Sequence, residues 1–81
     1  MKIEVLGMGC RRCHQLEEQV RRVLKELNIE ADVVKVSDLD KISSYGVLMT
    51  PGLVINGKVY SSGKLPAMAT LKKWLEEERN K

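Results

Sequence analysis

The chain has no phenylalanine, one tryptophan and two tyrosines. So few aromatic rings leave no row of stacking platforms for single-stranded nucleic acid, and aliphatic side chains must fill the core. No stretch approaches the ~20 apolar residues of a membrane span. Nor is there a block of one charge: 14 Lys and Arg face 11 Asp and Glu, a net charge of +3. The signs interleave, as in Glu17-Glu18-Gln19-Val20-Arg21-Arg22. That pattern reads as a solvated helix face and excludes a nucleic-acid patch. The opening run Ile3 to Met8 is interrupted by Glu4 and has no small-residue cleavage site after it, so no secretory signal is expected. These absences predict a soluble, cytoplasmic protein with neither a nucleic-acid nor a membrane partner. With 81 residues, a single domain over 1–81 is expected, burying ~60–65% of its unfolded surface.

What is present has clear periodicity. Residues 2–6, Lys-Ile-Glu-Val-Leu, alternate as a strand does. Gly7-Met8-Gly9 breaks the pattern. From Arg11 to Leu27 the apolar positions 13, 16, 20, 23, 24 and 27 follow helical spacing, and Asn28 suits a left-handed helix end. Residues 31–36 are rich in β-branched side chains and predict a second strand, parallel to the first as in a βαβ unit. Ser37 or Asp38 suits the cap of a short helix through about Tyr45, closed by Gly46. A strand from Gly52 to Ile55, the turn Asn56-Gly57 and a strand from Lys58 to Tyr60 form a hairpin. Ser61-Ser62-Gly63 reads as a loop. Pro66 suits the first turn of a last helix, where Met68, Leu71, Trp74 and Leu75 make one apolar stripe. The expected fold is α/β, in the order β-α-β-α-β-β-α, with a four-stranded mixed sheet flanked by helices.

The chain has only two cysteines, and both fall where a loop meets a helix: Cys10-Arg11-Arg12-Cys13. In a reducing compartment such close spacing points to catalysis or metal binding before a structural staple. Cys10 would stand at the N-cap, where unpaired backbone N–H groups and the helix dipole favour its thiolate. Arg11 and Arg12 add positive charge, and both effects lower a thiol's pKa. Cys13, on the apolar stripe, would attack from within. As a small buried hydrophobe Cys13 alone needs no chemistry. Cys10, in a Gly-rich loop with no apolar residue on its N-terminal side except Met8, does not fit that description. His14 could serve as a metal ligand or a proton shuttle, but a lone His on a helix reads more simply as a partly exposed polar residue.

Thr50-Pro51 precedes the apolar strand Leu53-Val54-Ile55. Locally it needs to be no more than a trans proline opening a strand. Together, Gly9-Cys10-x-x-Cys13 and Thr50-Pro51-Gly52-Leu53-Val54-Ile55-Asn56-Gly57 make the chain resemble the thioredoxin and glutaredoxin superfamily. More narrowly, it resembles its small archaeal and bacterial redox-active disulfide proteins. The resemblance spans essentially the whole chain. It implies a minimal thioredoxin-like fold, a cis Pro51 beside the dithiol, and a Thr50 that offers backbone groups to a bound substrate. It also implies a protein thiol–disulfide oxidoreductase with Cys10 and Cys13 as its catalytic pair. Protein disulfides would be its substrates and an external reductase its electron donor. No cofactor or bound metal is expected, and the protein is expected to act as a monomer.

Gly7-Met8-Gly9-Cys10-Arg11-Arg12-Cys13 also resembles the Gly-Met-x-Cys-x-x-Cys loop of heavy-metal-associated domains, in which two thiolates carry a soft ion such as Cu(I) or zinc. That fold runs β-α-β-β-α-β and ends in a strand. Here the hairpin comes late, at Asn56-Gly57, and a helical segment follows it. With His14, the two cysteines supply at most three zinc ligands, short of a closed structural site.

Overall fold

The computed structural model describes residues 1–9 and 11–81. The order is β1 (Lys2–Leu6), α1 (Arg11–Glu26), β2 (Asp32–Val36), α2 (Leu39–Ser44), β3 (Gly52–Ile55), β4 (Lys58–Ser62) and α3 (Met68–Arg79). The strands form one sheet in the order β2-β1-β3-β4. β1 pairs parallel with β2 and antiparallel with β3, and β3 pairs antiparallel with β4. This is the β-α-β-α-β-β-α mixed-sheet architecture that the periodicity predicts.

Each face of the sheet buries its own alternate residues. Ile3, Val5, Leu53 and Ile55 join Leu16, Val20, Val23 and Leu24 of α1 and Leu71 and Leu75 of α3 in the larger core. Leu6 and Val54 point the other way and, with Val36, pack against Ile42 and Val47 in a smaller one. Trp74 and Met68 are half-buried against the larger core, and Trp74 stacks obliquely on Tyr60 with ring centroids 5.4 Å apart.

Turn chemistry ends the elements where the sequence asks. After α1, Asn28 takes φ 55°, Ile29 N–H donates to Leu24 C=O at 2.9 Å and Asn28 N–H to Lys25 C=O at 3.2 Å. These two bonds satisfy the last carbonyls as a Schellman motif. α2 repeats the device with Gly46 at φ 79°, after its N-cap Asp38 accepts from Asp40 N–H at 3.0 Å. Asn56 and Gly57 both have positive φ, as a tight two-residue hairpin turn requires.

Two boundaries differ from expectation. β4 continues through Ser62, because Ser61 and Ser62 pair with Leu53 and Gly52 after a register shift at Leu53/Val54. Backbone pairing needs no particular side chain, so two serines do not end a strand. Pro66 lies ahead of α3 and not in its first turn: Ala67, extended at φ −64° and ψ 150°, is the N-cap, and it makes no side-chain cap bond.

Among the described residues, no helix is long and apolar enough to cross a membrane.

Candidate functional site

The parallel and antiparallel pairings place the end of β1, the end of β2 and the start of β3 at one end of the sheet. Leu6 is opposite both Val36 and Gly52, and Gly7 N–H donates to Val36 C=O at 2.9 Å. The loop of residues 7–9 and the first turn of α1 emerge there. Cys10 lies outside the described residues. Cys13 lies within the first turn of α1, at 6% exposure, as its place on the apolar stripe predicts. Arg11 and Arg12 are exposed, and the first turn contains no acidic side chain to oppose their charge.

Cys13 sits against Gly7. A Cβ on Gly7 would overlap the Cys13 Sγ and come within 3.1 Å of its Cβ. Gly7 is therefore a close-approach glycine: only a hydrogen at that position leaves room for the sulfur. The same hypothetical Cβ would lie 3.8 Å from Thr50 Cβ. Thr50 and Cys13 thus both approach one glycine, though 37 positions separate them in the chain. The Thr50–Pro51 peptide bond is cis, Pro51 is buried, and its carbonyl accepts from Gly63 N–H at 2.8 Å. Met8, next to Gly7 in the chain, and Leu48 and Met49, just before Thr50, are exposed apolar side chains, Leu48 to 92%.

The interleaved charges of α1 are not a uniformly solvated face. Glu17 is buried, its side chain only 12% exposed. Its Oε2 accepts from Arg21 Nη2 at 3.0 Å and Nε at 3.2 Å, while its Oε1 lies 3.1 Å from Lys35 Nζ and 3.7 Å from His14 Nδ1. Burial pushes the Glu17 carboxyl up, but hydrogen bonds from Arg21 and Lys35 outweigh it and hold the group below the usual range. Position 17 is one turn beyond Cys13, on the same helix face as Val20 and Leu24. That spacing was the signal available for it. Lys35 lies opposite Val5 in the β1–β2 ladder, which turns it toward α1.

Glu4 plays a comparable part on the other face. Buried beneath α2, it accepts from Tyr45 Oη at 2.5 Å and pairs with Lys2 at 3.3 Å and Lys41 at 3.6 Å. Burial raises its carboxyl, and these partners together bring it below the ordinary value.

A cavity of about 20 Å³ opens beside the cysteine, lined by Val5, Gly7, Gly9, Cys13, His14 and Lys35. His14 is 65% exposed, in keeping with its reading as a partly solvated helix residue.

The sequence profile described as "Thioredoxin domain" matches residues 1–76. A protein named thioredoxin from Methanothermobacter thermautotrophicus is 36% identical over 75 residues, 93% of this chain and 97% of its own. Another of that name, from Methanocaldococcus jannaschii, is 35% identical over 74 residues, 91% of this chain and 85% of its own. The structure of thioredoxin 1 from the thermophilic eubacterium Thermosipho africanus TCF52B superposes with a TM-score of 0.67 at 19% identity, covering the whole of both chains. At that identity it shows the shared fold.

Proposed function

This chain belongs to the thioredoxin family, and on that premise we propose that it is a thiol–disulfide oxidoreductase working through Cys10 and Cys13. The observation that carries the reading is the seat of Cys13: a buried cysteine in the first turn of a helix, against Gly7, with Thr50 close to the same glycine.

Cys10 is the attacking thiol. Its thiolate displaces one sulfur of a substrate disulfide and forms a mixed disulfide, releasing the first substrate thiolate. Arg11 and Arg12, with the N-terminal N–H groups of α1, favour that thiolate. Cys13 then loses its proton and attacks the Cys10 sulfur. The Cys10–Cys13 bond forms, the second substrate sulfur leaves as a thiol, and two electrons have passed to the substrate. An external dithiol or reductase restores the pair. The exposed Met8, Leu48 and Met49 offer an apolar seat for the substrate chain, to which Thr50 and Pro51 would present backbone groups. The single domain 1–81 carries this chemistry, which uses no cofactor.

The test is a pair of variants. Cys13→Ser should accumulate mixed disulfides with a protein disulfide substrate, seen as adducts on non-reducing gels, whereas Cys10→Ser should form none. Full disulfide-reductase activity in both variants would sink the assignment.

A further inference from the structure

Resolution of the mixed disulfide requires an enclosed thiol to lose a proton. Cys13 is 6% exposed, so bulk water has little direct access to it. The cavity it lines is about 20 Å³, and ~10–15 Å³ of such space holds one water molecule. Among the described residues, the other polar side chains around the cavity are His14 and Lys35. Both meet the same carboxylate oxygen: Glu17 Oε1 is 3.1 Å from Lys35 Nζ and 3.7 Å from His14 Nδ1. Lys35 has only protons to donate, whereas a neutral imidazole has one nitrogen that accepts. His14 also reaches solvent, being 65% exposed, so it links the small cavity to the outside.

We propose that His14 is the proton carrier for Cys13, acting through one water in this cavity. The inference rests on the resolving role proposed above for Cys13. The Cys13 S–H proton passes to the water as a water proton passes to the ring nitrogen opposite Nδ1. The resulting thiolate attacks the Cys10 sulfur, and the imidazolium returns its proton to solvent or to the departing substrate thiolate. No electrons beyond those of the dithiol are involved. Lys35, facing the same cavity and held by Glu17 at 3.1 Å, favours the thiolate as it forms. Among the described residues, the charged and titratable groups that line the cavity with the cysteine are His14 from α1 and Lys35 from β2, with Glu17 paired to Lys35 and Arg21 to Glu17. Val5 is the apolar contribution of β1 to the cavity.

The experiment isolates the second step. The protein is mixed with a thionitrobenzoate disulfide, and release of the coloured thiolate during ring closure is followed by stopped flow. That leaving group departs without needing a proton, so loss of the Cys13 proton is the event probed. His14→Gln should slow ring closure by about tenfold or more, by loss of a proton acceptor. It should leave the preceding attack of Cys10 unchanged, which also reports an intact fold. In His14→Ala, added imidazole should restore the rate in proportion to its concentration, which a merely structural role would not allow. Ring closure at the unaltered rate in His14→Gln would overturn the inference, as would a slow rate in His14→Ala that imidazole does not restore. Failure of the unsubstituted protein to close the ring at all would instead overturn the resolving role of Cys13, and the inference with it.

Discussion

Replacing Gly7 with alanine separates a packing constraint at the cysteine from a general dislike of side chains in the loop. The new methyl would overlap the Cys13 Sγ and lie 3.1 Å from its Cβ, while Thr50 Cβ, at 3.8 Å, is in ordinary contact. The conflict is therefore with one sulfur. Cys13 has little freedom to yield: it is 6% exposed and helical, where one of the three χ1 rotamers is already disfavoured. Overpacking of this kind costs ~1–3 kcal/mol. Against it, Gly→Ala where φ is compatible gains ~0.4–1 kcal/mol by restricting the unfolded chain. Gly7 is not among the glycines with positive φ, so that gain is available. Gly7→Ala should thus destabilise by about 1–2 kcal/mol net. In a Cys13→Ala background most of the overlap is gone, and the same substitution should be close to neutral. The assay is urea unfolding of all four proteins with reductant present throughout, so that the backgrounds do not differ in covalent connectivity. A coupling of about 1 kcal/mol or more is expected, or roughly 4–8 °C in thermal midpoint for a chain of this size. Additivity within ~0.5 kcal/mol would refute the contact between Gly7 and the Cys13 sulfur as the reason for the glycine.

Acid stability should depend on Glu78. Bonds from Tyr60 Oη, Lys81 and Asn56 hold its carboxyl at about 2 against an ordinary 4.5. A carboxyl depressed on folding stabilises fully above about 4.5, and that contribution fades as pH falls toward about 2. Urea midpoints measured across this window should fall less steeply for Glu78→Gln, and an unchanged slope would contradict the assignment. The same bond holds Tyr60 up at about 12, so its contribution is complete below the ordinary 10.0 and is lost as pH climbs past it. Leu71→Ala, at a fully buried position, should cost about 2–5 kcal/mol, whereas Leu48→Ala, at 92% exposure, should stay within about 0.5 kcal/mol. Comparable losses from the two in thermal melts would mean that the core is misplaced.

Most of this architecture is legible in local sequence because the signals act locally. Asn28, Gly46 and Asn56-Gly57 mark element ends through φ, a property of single residues. The stripe of α1 marks its buried face through spacing, and it places Cys13 correctly. Glu17 escapes such reading because charge alone suggests exposure. Only the partners from β2 and from the next turn of α1, Lys35 and Arg21, make burial of a carboxylate tolerable. Glu4 escapes for the same reason, since Tyr45 and Lys41 come from a helix more than 35 residues away. The isomer of Pro51 has no local signature either. The family resemblance points to cis, and local statistics point the other way. The extent of β4 is set by pairing with β3, which serines neither favour nor forbid.

The smaller core also bears on the candidate site. Leu6 is opposite Gly52 in the β1–β3 ladder, and a Cβ on Gly52 would come within 3.3 Å of Leu6 and 3.2 Å of Val47. A side chain at Gly52 would crowd Leu6 and Val47, which fill the space over it. Because side chains alternate with a period of two, a slip of one residue in this register would turn Leu6 and Val54 out of the smaller core. The hydrophobic cost of that slip fixes where β3 begins relative to the end of β1. Pro51 and Thr50 precede Gly52, and Gly7 follows Leu6, so the same register fixes their approach. The distance between Thr50 and the cysteine loop is thus set by apolar packing on the face of the sheet opposite α1. Loosening that packing, as Val47→Ala would, should disturb disulfide exchange without touching a sulfur.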